Sequence, residues 1–266
     1  MKNSKTLLYL LTATLFTLGA CSQKTIQSVT LSKNEAFNQI TIHPVKQSQA
    51  FPTAGLDISE TKTEMLCSDS VKFKVAYNVT NYELTKMTMD MTMGECANSA
   101  KGQHIHYILD NKPYMALYNP ENIVNLALNS EHYLLSFLSR SYHESIKNET
   151  ASKLIHFKID GKGNFNLLPD ATSPMLFYSR PKGEYVGKDT QNILLDFYLK
   201  NVDLSANGYK VRLSINDRQF ILSQWKPYFL KNIPMGSIKF KLELLDSNDQ
   251  KVIGDNTDIE RIVVLK

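Results

Sequence analysis

Basic residues never gather into a block: 30 lysines and arginines stand against 26 acidic residues, a formal charge of +4 over 266 residues. That spread excludes the electrostatic footprint of a nucleic-acid-binding chain. Catalytic signatures are also missing, with no Gly-x-Ser-x-Gly, no His-Glu-x-x-His, no Walker loop and no dinucleotide fingerprint. Triads are recognised by geometry and not by order, so missing motifs alone do not exclude an enzyme. Nothing here assembles into one, however, and the expectation is a non-catalytic chain. Long hydrophobic runs are lacking too. Leu7 to Leu18 is apolar and uncharged, but about a dozen residues fall short of the roughly 20 that span a bilayer. No long segment repeats at 3.6 residues; the best helical candidate, "ENIVNLALN" at 121–129, is short.

What is present begins with a leader. Lys2 and Lys5 precede the apolar run, and "LGAC" follows it, Leu18-Gly19-Ala20-Cys21. This stretch resembles the lipobox of bacterial lipoproteins, in which the peptide is cut before the cysteine and the thiol is acylated. The resemblance implies that residues 1–20 are a signal peptide, that Cys21 is the lipidated N-terminus, and that the chain is exported and held on the membrane by lipid. Ser22, where an aspartate would act as a retention signal, favours the outer membrane by the same resemblance. With two lysines removed, the formal charge falls to about +2. Cys67 and Cys96 then remain, an even pair in an oxidising compartment. They are expected to form a disulfide that stabilises by about 3–4 kcal/mol; the alternative is a free Cys96 serving as a soft metal ligand.

Self-similarity sets the architecture. "GQHIHYILDNKPYMAL" from Gly102 matches "GYKVRLSINDRQFILS" from Gly208, an offset of 106, and the same offset carries Ile155, Phe157 and Ile159 to Arg261, Val263 and Leu265. Upstream, "VKFKVAYNV" from Val71 resembles "ILLDFYLKNV" from Ile193 at an offset of 122, so the first repeat holds 16 extra residues, "TKMTMDMTMGECANSA", 85–100. Each repeat is a series of short alternating runs between Asn, Asp, Gly and Pro turns. This pattern predicts an all-β chain of two tandem immunoglobulin-like sandwiches, 57–168 and 172–266, after an acylated tether over 21–56 that adds one strand through "NQITIHPV". Asp110-Asn111 and Asn216-Asp217 mark two-residue hairpin turns.

The chemistry-bearing residues cluster in the first repeat. The predicted turn pairs Tyr107 with Tyr114 and Ile105 with Ala116 on the apolar face, and leaves His104 and His106 on the other, with Met115 opposite His106. The second repeat has Lys210 and Arg212 at the histidine positions, which places that face outside the core. Two imidazoles on one face suit zinc and copper, and a thioether selects copper(I); two solvated histidines on a polar face fit the same pattern. In the insertion, Met87, Met89, Met91 and Met93 alternate strictly, as in a strand with four sulfurs on one side. Methionine combs beside histidines are similar in composition to copper-handling segments of exported bacterial proteins, but Met also serves as adaptable packing. His143 could close a site from a loop. His132 is expected to pack inward, His43 and His156 to be structural, and "SRPKGEYVG" at 179–187 to be a turn. The chain after the leader resembles exported tandem Ig-like lipoproteins, a group that implies anchoring in the cell envelope but no activity. Two expectations follow: a lipid-anchored protein binding copper, or zinc second, through these His and Met residues; and an adhesion, scaffold or envelope-assembly module for a protein or glycan partner.

Overall fold

The computed structural model describes residues 33–266; the leader, Cys21 and Ser22 lie outside the described residues. Beyond a short helix α1 (Lys33–Asn38) the chain is strands and turns. The strands are β1 (Thr41–Pro44), β2 (Gly55–Cys67), β3 (Ser70–Thr80), β4 (His104–Leu109), β5 (Met115–Leu117), β6 (Glu121–Ala127), β7 (Ser130–Ser139), β8 (Ser152–Ile159) and β9 (Phe165–Leu167). They continue with β10 (Met175–Arg180), β11 (Gly183–Tyr185), β12 (Ile193–Lys200), β13 (Lys210–Ile215), β14 (Arg218–Leu222), β15 (Tyr228–Lys231), β16 (Gly236–Leu245) and β17 (Asp258–Leu265). In the 121–129 segment, Glu121–Ala127 is strand and not helix, because it pairs along β3, with Phe73 opposite Val124.

Four sheets make two sandwiches. In the first, β2-β3-β6 faces β5-β4-β7-β8-β9. Val71, Phe73, Val75, Ile105, Tyr107, Leu134, Leu138 and Phe157 interdigitate between them, with Phe73 stacked on Phe157 at 4.9 Å between centroids. In the second, β1-β15-β12-β10 faces β11-β17-β16-β13-β14 over Leu195, Phe197, Val211, Leu213, Phe240, Leu242 and Val263. The strand expected from the tether is β1, and it pairs antiparallel with β15 in the second sandwich, so the chain enters at the far sandwich before building the near one.

The two sandwiches dock sheet against sheet, and residues 33–266 fall within one compact unit. Ile108, Tyr114, Leu135 and Phe137 from the first meet Met175, Phe177 and Tyr198 from β10 and β12, all nearly inaccessible to solvent. Burying each such side chain stabilises the junction by about 1.5–3 kcal/mol. The central strands β4 and β7 are therefore covered on both faces, and β10 and β12 are too.

Two expectations are corrected at this level. Cys67 and Cys96 are both free. Cys67 ends β2, exposed, its thiol donating to Asp69 Oδ1 at 3.0 Å. Cys96, within the insertion, is buried against Tyr142, Leu194 and Phe229. An even count in an oxidising compartment says nothing about proximity, and the fold sends these two residues to different ends. The insertion 85–100, second, contains no strand. Its polar residues go inward because an irregular backbone needs side-chain partners. Thr88 donates to Gln103 Oε1 at 3.1 Å, and Asp90 accepts from the Tyr142 hydroxyl at 2.7 Å and caps the Thr92 and Met93 amides. The methionines turn outward or lie half-buried as a result.

Candidate metal centre at the sandwich junction

Strand β4 supplies two of three converging imidazoles. A period of two places His104 and His106 on the same face, and that face is the one covered by β10 and β12, so both are fully buried. The strand is entered through Gly102, whose φ of +80° and close approach to the Thr85 carbonyl leave no room for a Cβ. That approach fixes the Gly102 carbonyl 2.8 Å from His104 Nδ1. A carbonyl only accepts, so Nδ1 carries the proton and the lone pair of His104 sits on Nε2.

The third imidazole comes from the turn after β7. His143 holds a φ of +71°, uncommon for a side chain with a Cβ. Such strain persists only where the surroundings enforce it. Here the Arg140–Glu144 ion pair (2.9 Å) lies on one side of the turn, and the Lys147–Asp196 pair (2.6 Å) ties it to β12 on the other. The His143 amide donates to the Arg140 carbonyl within it.

These restraints bring His104 Nε2 to 3.0 Å from His106 Nε2 and to 3.0 Å from His143 Nδ1. One ligand nitrogen from each lies within 4.8 Å of the others. His104 is the middle group with a neighbour on either side. Nitrogens bound at about 2.0 Å sit about 2.8 Å apart when adjacent in a square and about 3.3 Å apart in a tetrahedron. The two short spacings fall between those values. His106 Nδ1 meets Ser179 Oγ at 3.0 Å, which leaves its Nε2 free to face inward when the ring donates to that hydroxyl. Tyr114 stacks on His106 (3.6 Å between centroids, planes at 8°) and brings its hydroxyl to 3.1 Å from His143 Nδ1.

Burial, and then the neighbouring cations, keep the three rings neutral. The pKa of His104 is pushed down to about 4, chiefly by desolvation, with Arg180 and Lys182 acting the same way against the opposing Gly102 hydrogen bond. His106 and His143 are lowered for the same first reason. Neutral imidazole is the ligating form, so protons compete weakly for this site. Lys182, itself lowered to about 8 by burial and by Arg180 and Arg261, places Nζ 3.8 Å from the Tyr114 ring centre.

Of the residues singled out in the sequence, His104, His106 and His143 come together; the methionines do not join them. Met115 is 40% exposed because the β4–β5 hairpin slips by one residue. The turn at Asp110-Asn111 forms as expected, with φ of 52° and 53°, but Tyr107 pairs with Met115 and Ile105 with Leu117. The slip puts Tyr114, not Met115, on the histidine face. In the second repeat the tight register holds, Leu213 opposite Phe220. Met89 and Met91 are 70% and 76% exposed, and Met87 and Met93 are half-buried, Met93 against the Cys96 cluster. Cys96 packs there as an apolar group, its thiol pushed up to about 12 by burial. The placement of His104 and His106 on an outer face is corrected in the same way: it is outer for the first sandwich and interior for the molecule. Its counterpart does face out, Arg212 pairing with Glu243 at 3.0 Å. Tyr114, Ser179, Arg180 and Lys182 were missed as site residues. The one signal for the last three was two cations in "SRPKG", read as a turn.

No family model and no curated protein matches this chain. Among solved structures, it is similar to the fibronectin(III)-like modules of Clostridium thermocellum CbhA, at 10% identity over 79% of this chain and 94% of that one, with a TM-score of 0.28. It is also similar to the two tandem V-type regions of VCBP3, a v-region-containing chitin binding protein, at 9% identity over 80% of this chain and 99% of that one, with a TM-score of 0.22.

Proposed function

We propose that the protein is a lipid-anchored, exported binding protein that holds one transition-metal ion, copper(II) before zinc, on His104, His106 and His143. The observation that carries this reading is the convergence of two buried nitrogens, His106 Nε2 and His143 Nδ1, on His104 Nε2 at 3.0 Å each. The donor set is all nitrogen, which suits copper(II) and zinc, and copper(II) stands above zinc in affinity for such ligands. The thioether selection of copper(I) expected from the sequence finds no support, since Met89, Met91 and Met115 are exposed and Met93 packs against the Cys96 cluster.

Calorimetric titration of the full chain with copper(II) and with zinc tests the proposal. One-to-one binding, lost in His104→Ala/His106→Ala and weakened at least tenfold in His143→Ala, is the expected result; no binding of either ion to the wild type refutes it. Incorporation of a palmitate analogue in a bacterial host, abolished by Cys21→Ala, tests the anchor. A second reading, contact with an envelope protein or glycan, draws on one feature: a cleft of about 490 Å³ lined by Gln49, Phe51, Tyr82, Met87, Met89 and Gln103. The exposed methionine there is adaptable contact surface. Pull-down from envelope extracts that is lost in Phe51→Ala/Met89→Ala checks it.

A further inference from the structure

Two cations, Arg180 and Lys182, act on the histidine cluster, and a third, Arg261, acts on Lys182. Arg180 ends β10 and is 9% exposed, Arg261 lies on β17 and is 8% exposed, and Lys182 follows the Arg180–Pro181 step. None of the ion pairs among the described residues involves any of them: Glu184, the carboxylate closest in sequence, pairs with Lys266 at 2.6 Å. Their hydrogen bonds go to neutral groups. Arg180 donates to the Tyr185 hydroxyl, Lys182 to the Tyr114 carbonyl, and Arg261 to the carbonyls of Ser179, Asn111 and Lys112. The Nε atoms of Arg180 and Arg261 are buried with no partner. Buried charge is retained in proteins when it is paired, so this cluster lacks its counter-charge. A divalent ion on the three histidines deepens the deficit. Three neutral imidazoles also leave coordination positions open, as in sites that take an exogenous ligand.

We infer that the metal's open position takes a small anion, inorganic or carboxylate, drawn to the metal by the charge of Arg180, with Lys182 behind the Tyr114 ring adding to the field and the Tyr114 hydroxyl as a donor beside it. The inference rests on the metal reading. Arg180 acts on all three histidines electrostatically, and it lies 5.5 Å from the Tyr114 ring centre; Lys182, 3.8 Å from that centre, sits on the ring face away from the stacked His106. Lys182 is only partly buried, so the charge excess reaches toward solvent on that side. Metal and anion then bind with positive coupling, each supplying charge that the other needs, and the coupling is reciprocal.

The test loads the full chain with copper(II) and titrates azide, an anion whose coordination to copper(II) is read as a charge-transfer absorption band, with acetate as a competing carboxylate. Wild type is expected to bind azide at least tenfold more tightly than Arg180→Gln, and more tightly than Lys182→Gln, in which a partly exposed residue changes and the fold is less at risk. Arg180→Lys, which keeps the charge, is expected to recover part of the loss. In azide-free, acetate-free buffer both glutamine variants are expected to hold copper at least as well as wild type, since a repelling charge has gone; that retention also shows the site is folded. Copper bound but azide affinity equal in all four proteins, or no azide band at all, overturns the inference and leaves the metal reading standing. Absence of copper binding to the wild type overturns both.

Discussion

Asp196→Asn removes one negative charge from a carboxylate with no solvent exposure. In the native protein that carboxylate accepts from Lys147 Nζ at 2.6 Å, from the Ser145 hydroxyl at 2.9 Å and from the Ser145 amide at 3.3 Å. Asparagine keeps one acceptor oxygen, loses the charge, and leaves the Lys147 ammonium with the Ser145 hydroxyl, the Phe197 carbonyl at 3.2 Å and the rings of Trp225 and Tyr198. Breaking a buried pair from one side costs about 3–5 kcal/mol, a large part of the roughly 5–15 kcal/mol that holds a typical domain together. The loss reaches the histidines because Ser145 and Lys147 anchor the turn that holds His143 at φ +71°. Urea unfolding of the metal-free full chain is therefore expected to show the midpoint falling with the slope unchanged. Copper affinity of the still-folded variant is expected to drop at least tenfold. Asp196→Leu/Lys147→Met, with both charges replaced by apolar groups, should recover most of the stability but not the copper affinity, since nothing then ties the turn to β12. A variant within about 1 kcal/mol of wild type, or one that loses stability and keeps full copper affinity, refutes the claim that Asp196 positions His143.

Three further outcomes are expected. Acid should destabilise the metal-free protein: below about pH 6.5 the unfolded chain takes up a proton on His104 that the folded chain refuses until about pH 4. Folding stability thus falls as pH drops through that window, by about 3 kcal/mol from His104 alone. His106 and His143 act in the same direction beside Arg180 and Lys182. Urea midpoints at several pH values check it, and a profile as steep in His104→Gln as in wild type refutes it. In a chain carrying Cys21→Ser, a thiol reagent should label Cys67 in the native state and Cys96 only after denaturation, since one is exposed and the other buried; no free thiol under non-reducing conditions contradicts the fold described. Met89→Leu/Met91→Leu should change copper affinity less than twofold, measured by chelator competition, because both side chains point to solvent.

Much of the architecture was legible because it is written in local patterns. Alternation in Val71-Phe73-Val75 and in Val211-Leu213-Ile215 marked core faces, the Asn and Asp turns marked hairpins, and the 106-residue offset aligned β4 with β13. The same period of two puts the two histidines on one face, and a polar stretch after a strand makes His143 a residue able to close the site. The methionine comb misled because alternation was read as a strand where the chain makes an irregular loop that turns its polar side inward. The Met115 position misled because one extra residue after a correctly placed turn moves each following side chain to the other face.

The sequence by itself determined that this is an all-β chain, which residues form the interior of each sandwich, and that His104 and His106 point the same way. These are consequences of a two-residue period and of turn chemistry, both settled within a few residues. Only the tertiary structure decided that the histidine face is interior, that His143 joins it, that the two remaining cysteines stay apart, and that the charges of Arg180 and Lys182 bear on the cluster. Each of those depends on how one sandwich seats on the other. That seating is fixed by the packing of Phe137, Phe177 and Tyr198 and by the Lys147–Asp196 pair, contacts between segments some 40 to 60 residues apart that no local pattern encodes.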